Sequence, residues 1–307
     1  MALDRPIFWL GIAGLTPQQR AELVAFLPSQ PTSLPAWRVA KFDEADAWCV
    51  SGMAAHWLDD GTLVVPDSRR AESVLKLPLA SVDRPLAFTT PLASPEIEPL
   101  TTFDPGSERA IYMLLKKFET WLQPLRAQYF LGALLHQEMA GLQHATYALV
   151  HQSVLLAVVD IPKRRIDYLA DASPVQLEQA SWEKRGPSED ELAPRFRRAN
   201  LMHVMWQFAQ HSAGDLLPAG YAKEPIRLRY QPQVPDAWLK ESQRTVLRTL
   251  ERGPTSVPQF HKAGLNPGQL VRDLASLYFD GAISTVSGNV PWLVSTETRA
   301  SGRGLMF

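Results

Sequence analysis

The chain has almost no cysteine: one residue, Cys49, among 307. A disulfide within the chain is therefore excluded, and a reducing compartment, the cytoplasm, is the expected setting. Charge of one sign is also lacking. Thirty-one Lys and Arg face 32 Asp and Glu, a net charge of −1, so no bulk attraction toward nucleic acid or an anionic membrane is expected. No run approaches the roughly 18 apolar residues that a membrane-spanning helix needs. Asp4, Arg5 and Pro6 precede only a short apolar stretch, so no secretory leader is expected.

Catalytic constellations are scarce as well. There is no Gly-x-Ser-x-Gly elbow and no phosphate-cradling Walker loop. The histidines are scattered: His136 and His144, and His203 and His211, stand eight apart. A helical zinc motif needs two four apart, with a Glu between them. Cys49 lies in the apolar run Ala47–Val50 and reads as a buried small hydrophobe, with nothing to activate it as a nucleophile. No internal repeat or low-complexity segment stands out. The expectation is a protein with no catalytic residues, no metal and no cofactor.

What is present is ordinary globular composition, 46% apolar and 21% charged, enough to bury sizeable cores. The length suggests about two domains. Twenty-five prolines fall mostly between elements, as expected of short units joined by defined turns.

The N-terminal third reads as a small α/β sheet. Ile7–Ile12 is an apolar run of the kind found in strands buried on both faces. Thr16-Pro17 is a helix N-cap and first-turn pair, opening a helix to Leu27 that buries Leu23, Val24 and Leu27. Further strands are expected at Trp37–Phe42, Ala47–Val50, Thr62–Val65 and Leu86–Thr89. Gly11 and Gly14 follow the first strand, but Pro17 stands where a dinucleotide fingerprint needs its third glycine, and Asp43 is too distant for the ribose-binding acid. The helix N-terminus could still hold an anion.

From Pro6 to about Leu92 the order of elements resembles a response-regulator receiver domain, a flavodoxin-like three-layer sheet. That family places an acidic pair after the first strand and a phospho-accepting Asp at the end of the third. Here the first strand runs into Gly11-Ile12-Ala13-Gly14 and the third into Ser51-Gly52. Thr89-Thr90-Pro91 keeps a hydroxyl and a proline, without the family's lysine. The resemblance implies a pseudo-receiver, with the fold but neither a Mg²⁺ site nor phosphoryl chemistry. Asp43, Glu44, Asp46 and the pair Asp59-Asp60 read as solvated turn carboxylates.

The middle reads as an α+β domain. Ser107–Met139 is a long amphipathic helix that Pro124 should kink or split. Thr146–Val150, Val154–Val159 and Arg165–Leu169 read as strands, with Asp160–Arg164 as a turn, and Asp171–Pro174 as the cap of another helix. Arg195–His211 reads as a second long helix, and Ile226–Tyr230 as an edge strand. Two basic clusters, Arg164-Arg165 and Arg197-Arg198, could hold an anion such as a nucleotide phosphate. The basic pair followed by Asp171-Ala-Ser173 is similar to the cyclic-dinucleotide motif of the PilZ family, but Gln176 stands where that motif has its glycine.

From Asp236 to Val294 the order is helix (Ala237–Arg252, with Asp236 as N-cap), short helix (Val257–Lys262), helix from Asn266-Pro267, then a hairpin of Ala282–Val286 and Val290–Val294. Helix, turn, helix and hairpin resemble a winged helix. The segment carries six Lys or Arg and five Asp or Glu. Its third helix offers one cation, Arg272, followed at once by Asp273, which is poor equipment for reading bases. Lys240, Arg244, Arg248 and Arg252 form a basic stripe on the first helix.

The expected plan is α/β plus α+β: a receiver-like domain (1–103), a central α+β domain (104–234) and a winged-helix-like domain (235–307), a layout similar to PatA-type bacterial regulators. The expected function is non-enzymatic regulation through a protein partner, with homodimerisation as one form of it and no membrane. DNA binding through Lys240, Arg244, Arg248 and Arg272 is one alternative. Sensing of an anionic nucleotide by Arg164, Arg165, Arg197 and Arg198 is the other.

Overall fold

The computed structural model describes residues 4–31, 35–58, 60–66, 74–78, 82–90, 101–185 and 194–288. The chain divides into two compact units, Arg5–Pro124 and Leu125–Phe307, the latter joined by Met1–Asp4.

The first unit runs β1 (Ile7–Ala13), α1 (Pro17–Phe26), β2 (Ala36–Val39), β3 (Ala47–Val50), β4 (His56–Trp57), β5 (Thr62–Pro66), β6 (Val74–Pro78), β7 (Leu86–Phe88), β8 (Thr101–Thr102) and α2 (Glu108–Trp121). Five strands form a parallel sheet in the order β2-β1-β3-β7-β8. Taken in their sequence order within that sheet, the strands are arranged 2-1-3-4-5, one of the two common doubly wound orders. All seven residues of β1 are buried, which is why its sequence shows no polar alternation. One face carries Ile7, Trp9 and Ala13, which pack with Trp48, Val50, Phe88, Leu63 and Val65. On the other, Phe8 meets Trp37 edge-on at 5.4 Å and Trp37 meets Phe118 of α2 at 6.1 Å. Leu63 and Val65 belong to β5, which lies between β4 and β6 in a separate antiparallel sheet. The run Thr62–Val65 is thus a strand, but pairing with its sequence neighbours keeps it out of the parallel sheet. The fifth parallel strand is Thr101–Thr102, too short to leave a period in the sequence.

Capping explains α1. Thr16 Oγ1 accepts the Gln19 N–H (3.2 Å) and Gln19 Oε1 accepts the Thr16 N–H (3.1 Å), a reciprocal capping box. Leu23 and Leu27 are buried, whereas Val24 is exposed. An offset of four residues keeps Leu27 on the face of Leu23, and an offset of one turns Val24 about 100° away.

The second unit opens with α3 (Gln123–Glu138). Pro124 does split the long amphipathic stretch: it falls in the first turn of α3, where its missing N–H has no intrahelical partner to lose. An antiparallel sheet follows from β9 (Thr146–His151), β10 (Val154–Asp160), β11 (Arg165–Leu169), then α4 (Pro174–Glu178), β12 (Ser181–Arg185) and β13 (Phe196–Asn200), in the order β12-β9-β10-β11-β13. The β9–β10 hairpin turns on Gln152 and Ser153, both with positive φ (46° and 65°), as a two-residue hairpin turn requires. The remaining elements are α5 (Leu201–His211), α6 (Gly220–Lys223), β14 (Ile226–Leu228), α7 (Glu241–Glu251), α8 (Val257–Lys262), α9 (Pro267–Asp280) and β15 (Ile283–Thr285).

Here the structure corrects several readings. Arg195–His211 is not one helix. Phe196–Asn200 pairs with β11, because the open edge of that strand supplies backbone partners that helix propensity alone does not weigh, and Asn200 then caps α5 by accepting the Met202 N–H at 2.8 Å. Asp236 does not cap α7. Asp236–Trp238 forms a single 3-10 turn, and α7 starts at Glu241 behind Lys240, whose N–H is taken by Gln243 Oε1 at 2.9 Å. The strand after α9 pairs with β14, from before α7, and Thr255 bridges Ile226 on the other side. The expected second arm of the hairpin, Val290–Val294, lies outside the described residues. One core then runs through the whole unit, from α3 and the sheet to α5, α7, α8 and α9. Among the described residues that core takes in elements on both sides of residue 234, and α2 falls within Arg5–Pro124. At the α3–α5 crossing, the position a Cβ would take on Gly132 is already occupied by Phe208 Cβ; only glycine lets the two helices approach this closely.

Candidate functional site

In open α/β sheets the ligand crevice lies beyond the C-terminal ends of the strands, at the point where strand order reverses. In the first unit that point is between β1 and β3, where the backbone of the two turns is closely packed. Gly14 has a φ of 71°, and a Cβ there would meet Ala54 and Val65 at 3.1 Å and Ser51 at 3.2 Å. Gly52 abuts the Thr90 carbonyl oxygen, and Ser51 is 6% exposed. Hard cations need several oxygen ligands, and no carboxylate ends either strand. Among the described residues, no cluster of three His, Cys, Asp or Glu could hold a metal ion. Cys49 is fully buried, and burial pushes its thiol far above the ordinary range, which removes the thiolate a nucleophile needs.

A groove opens between β8 and α2 in the first unit. About 460 Å³ in volume, it is lined by Thr101, Thr102, Met113, Leu114, Lys117 and Thr120 among others. Met113 is 60% exposed there, and Lys117 is exposed beside it.

The basic stripe of α7 is largely spent within its own helix cap. Arg244 donates from Nη2 to the Asp236 carbonyl (2.7 Å) and from Nε to that of Leu239 (3.3 Å), closing the 3-10 turn. Arg248 Nη2 pairs with Glu241 at 2.7 Å. Lys240 is half-buried at the N-cap, on the side of Asp273. In α9, Arg272 Nη2 bonds Gln269 Oε1 at 2.8 Å, and every residue from Asp273 to Asp280 is buried. The helix that would enter a DNA groove is seated against α5 instead: Gln210 Nε2 donates to Ser276 Oγ (2.7 Å) and to the Arg272 carbonyl (3.2 Å).

The two arginine clusters meet, but on a carboxylate of their own sheet. Arg165 Nε and Arg198 Nε reach Asp167, 5% exposed, at 3.1 and 2.7 Å. Arg197 falls on the opposite face of β13, in register with Tyr168. Arg164 sits in the β10–β11 turn with positive φ (50°), close enough to Asp280 to favour its charged form. The four guanidinium groups therefore do not line one pocket.

The residues that sequence reasoning passed over are Asp273 and Asp280. Asp273 is wholly buried; Gln269 Nε2 donates to its Oδ1 at 2.8 Å, and Oδ2 makes no hydrogen bond of good geometry. Burial pushes its carboxyl up to about 6, against the pull of Ser242, Lys240, Gln269 and Gln210 nearby. Asp280, 4% exposed, accepts the Gln233 N–H at 3.2 Å; burial again pushes it up to about 6, against Gln233, His203 and Arg164. In the sequence, Asp273 looked like a charge cancelling Arg272 and Asp280 like the polar end of a helix before Gly281. Their placement on the heptad face of Leu270 and Leu277 was the available signal. The chain matches no family model, no curated protein and no solved structure.

Proposed function

We propose that the chain is a non-catalytic regulatory adaptor of the cytoplasm that works through protein contacts. In this reading the first unit is a degenerate receiver and α7–α9 are the helices of a winged-helix module turned to structural use. The observation that carries it is the parallel sheet in the order 2-1-3-4-5, close-packed around Gly14 by Ser51, Ala54 and Val65 at its reversal point and with no carboxylate at the ends of β1 and β3. A fold that keeps the topology without the acids has surface left to work with, and the β8–α2 groove with exposed Met113 and Lys117 is where a partner would be held.

Two measurements on the full chain test this. Incubation with a small phosphoryl donor and Mg²⁺ should give no phosphoprotein; stoichiometric labelling would sink the reading. Partner capture should drop at least tenfold for M113E/K117E relative to the wild type, and equal capture would move the contact elsewhere.

The order α7-α8-α9 favours a second reading, binding to duplex DNA. It predicts binding that weakens steeply with salt and is lost when Lys240, Arg248 and Arg252 are changed to Ala. The burial of α9 and the internal pairing of Arg248 weigh against it, and no binding at about 50 mM salt would remove it.

A further inference from the structure

We infer that α9 is a proton-controlled latch: Asp273 and Asp280, at the two ends of its buried half, let the helix seat firmly against α5 and α7 when protonated and loosen that seat when ionised. This does not depend on what the protein binds.

The two carboxylates are seven residues apart, two turns along one side of the helix. Both lie where a charge is costly. Asp273 is sealed at the junction of α9 with α5 and α7, with only one of its oxygens in a well-formed hydrogen bond. The side chains around it are Lys240 at the N-cap of α7, Ser242 of α7, Gln210 of α5 and Gln269 of its own helix. Asp280 is the last residue of α9, where the helix dipole already places partial negative charge. It faces His203 of α5, Arg164 of the β10–β11 turn and the backbone N–H of Gln233. The segment before α7 is strapped over the same end: Tyr230 Oη donates to the Asp280 carbonyl (2.7 Å) and Arg229 Nη1 to that of Gly281 (3.1 Å). Loosening Asp280 therefore also loosens that strap.

The direction follows from linkage. Each carboxyl is pushed up to about 6 in the folded chain and returns to the ordinary aspartate value of about 3.9 when exposed. Between those values the seated helix binds more protons than the open one, so seating strengthens as pH falls and is lost as pH rises through about 6. One facing group opposes this. His136 of α3 lies between Phe208 and Phe279, 5.7 Å from each ring, and burial holds it below its ordinary value; its contribution weakens the seat as pH falls. His211 of α5 is buried too, with Nδ1 against the Gln207 carbonyl at 2.7 Å.

The test is hydrogen exchange of α9 amides in the full chain at about pH 5 and pH 7.5, corrected for intrinsic rates. Protection should fall by about tenfold across that interval for each carboxyl released, and about a hundredfold if one opening releases both. In D273N and D280N alone, one of the two steps should vanish. In D273N/D280N the fall should vanish and, with His136 left, protection should hold level or rise with pH. Wild-type protection that does not change with pH would overturn the latch, as would an undiminished fall in the double variant. If the double variant does not fold, the two single variants decide, because a fall unchanged in both equally rules out their carboxylates.

Discussion

The two units bury different things. In the first, the described polar residues sealed inside are few, Gln30, Ser51, Thr62 and Glu119, around a sheet whose central strand is apolar on both faces. In the second, α5 buries Gln210 and His211, α7 buries Gln243, and α9 buries Asp273, Ser276 and Asp280. An apolar core is set by shape and area and is indifferent to protons. A core with ionisable groups has a geometry fixed by hydrogen bonds, and its stability moves with pH. One chain thus joins a unit whose described interior is mostly apolar to one whose helical layer buries several ionisable groups.

The largest effects should show that each core stands on its own packing. Phe279→Ala removes a fully buried ring packed by Phe208, Tyr278 and His136 and should cost the second unit about 3–5 kcal/mol in denaturant unfolding. Phe88→Ala should cost the first unit a similar amount. Cys49 reports which unit opened: its labelling by a thiol reagent should rise with Phe88→Ala and stay slow with Phe279→Ala. Labelling that rises equally in both would erase the distinction.

Gly132→Ala should come next, at about 1–3 kcal/mol, because the added methyl must displace Phe208 or part α3 from α5. A neutral result would mean the crossing is looser than its geometry.

Asp273→Asn sharpens the comparison directly. The folded carboxyl at about 6 makes its ionised form a burden above that pH, so the neutral amide should stabilise the second unit by about 1–2 kcal/mol at pH 8 and by little at pH 4. Thermal melts at both values check this; a loss at pH 8 would mean the charge is better solvated than its burial implies.

The smallest effect belongs to Arg248→Ala, which breaks an exposed pair with Glu241, both side chains more than half exposed. It should change stability by less than about 0.5 kcal/mol. A larger loss would show that the stripe on α7 supports more than its own cap.

Much of the local structure could be read directly from the residues. Thr16-Pro17, Ser173-Pro174 and Asn266-Pro267 each cap and open the helix expected of them, because a cap is made of atoms within three residues. Strands β9, β10 and β11 were legible from short apolar and aromatic runs, with the Val-rich β10 and then β11 on either side of the Asp160–Arg164 turn. The arginines were visible, but their destinations were not. Arg165 and Arg198 are 33 positions apart in the chain, and only strand pairing places both on Asp167.

What the sequence by itself determined is therefore local: the breaks at Pro124 and Gly281, the caps at Thr16, Ser173 and Asn266, the apolar β1, and the absence of clustered acids after β1 and β3. What the tertiary structure alone decided is which edges meet and which charges are buried. Phe196–Asn200 became a strand because β11 had an open edge, Ile283–Thr285 took β14 as its partner, and α9 turned two aspartates into the interior. Periodicity and capping are short-range and are written in neighbouring residues. Pairing and desolvation depend on whatever the rest of the chain brings alongside, and no stretch of sequence contains that.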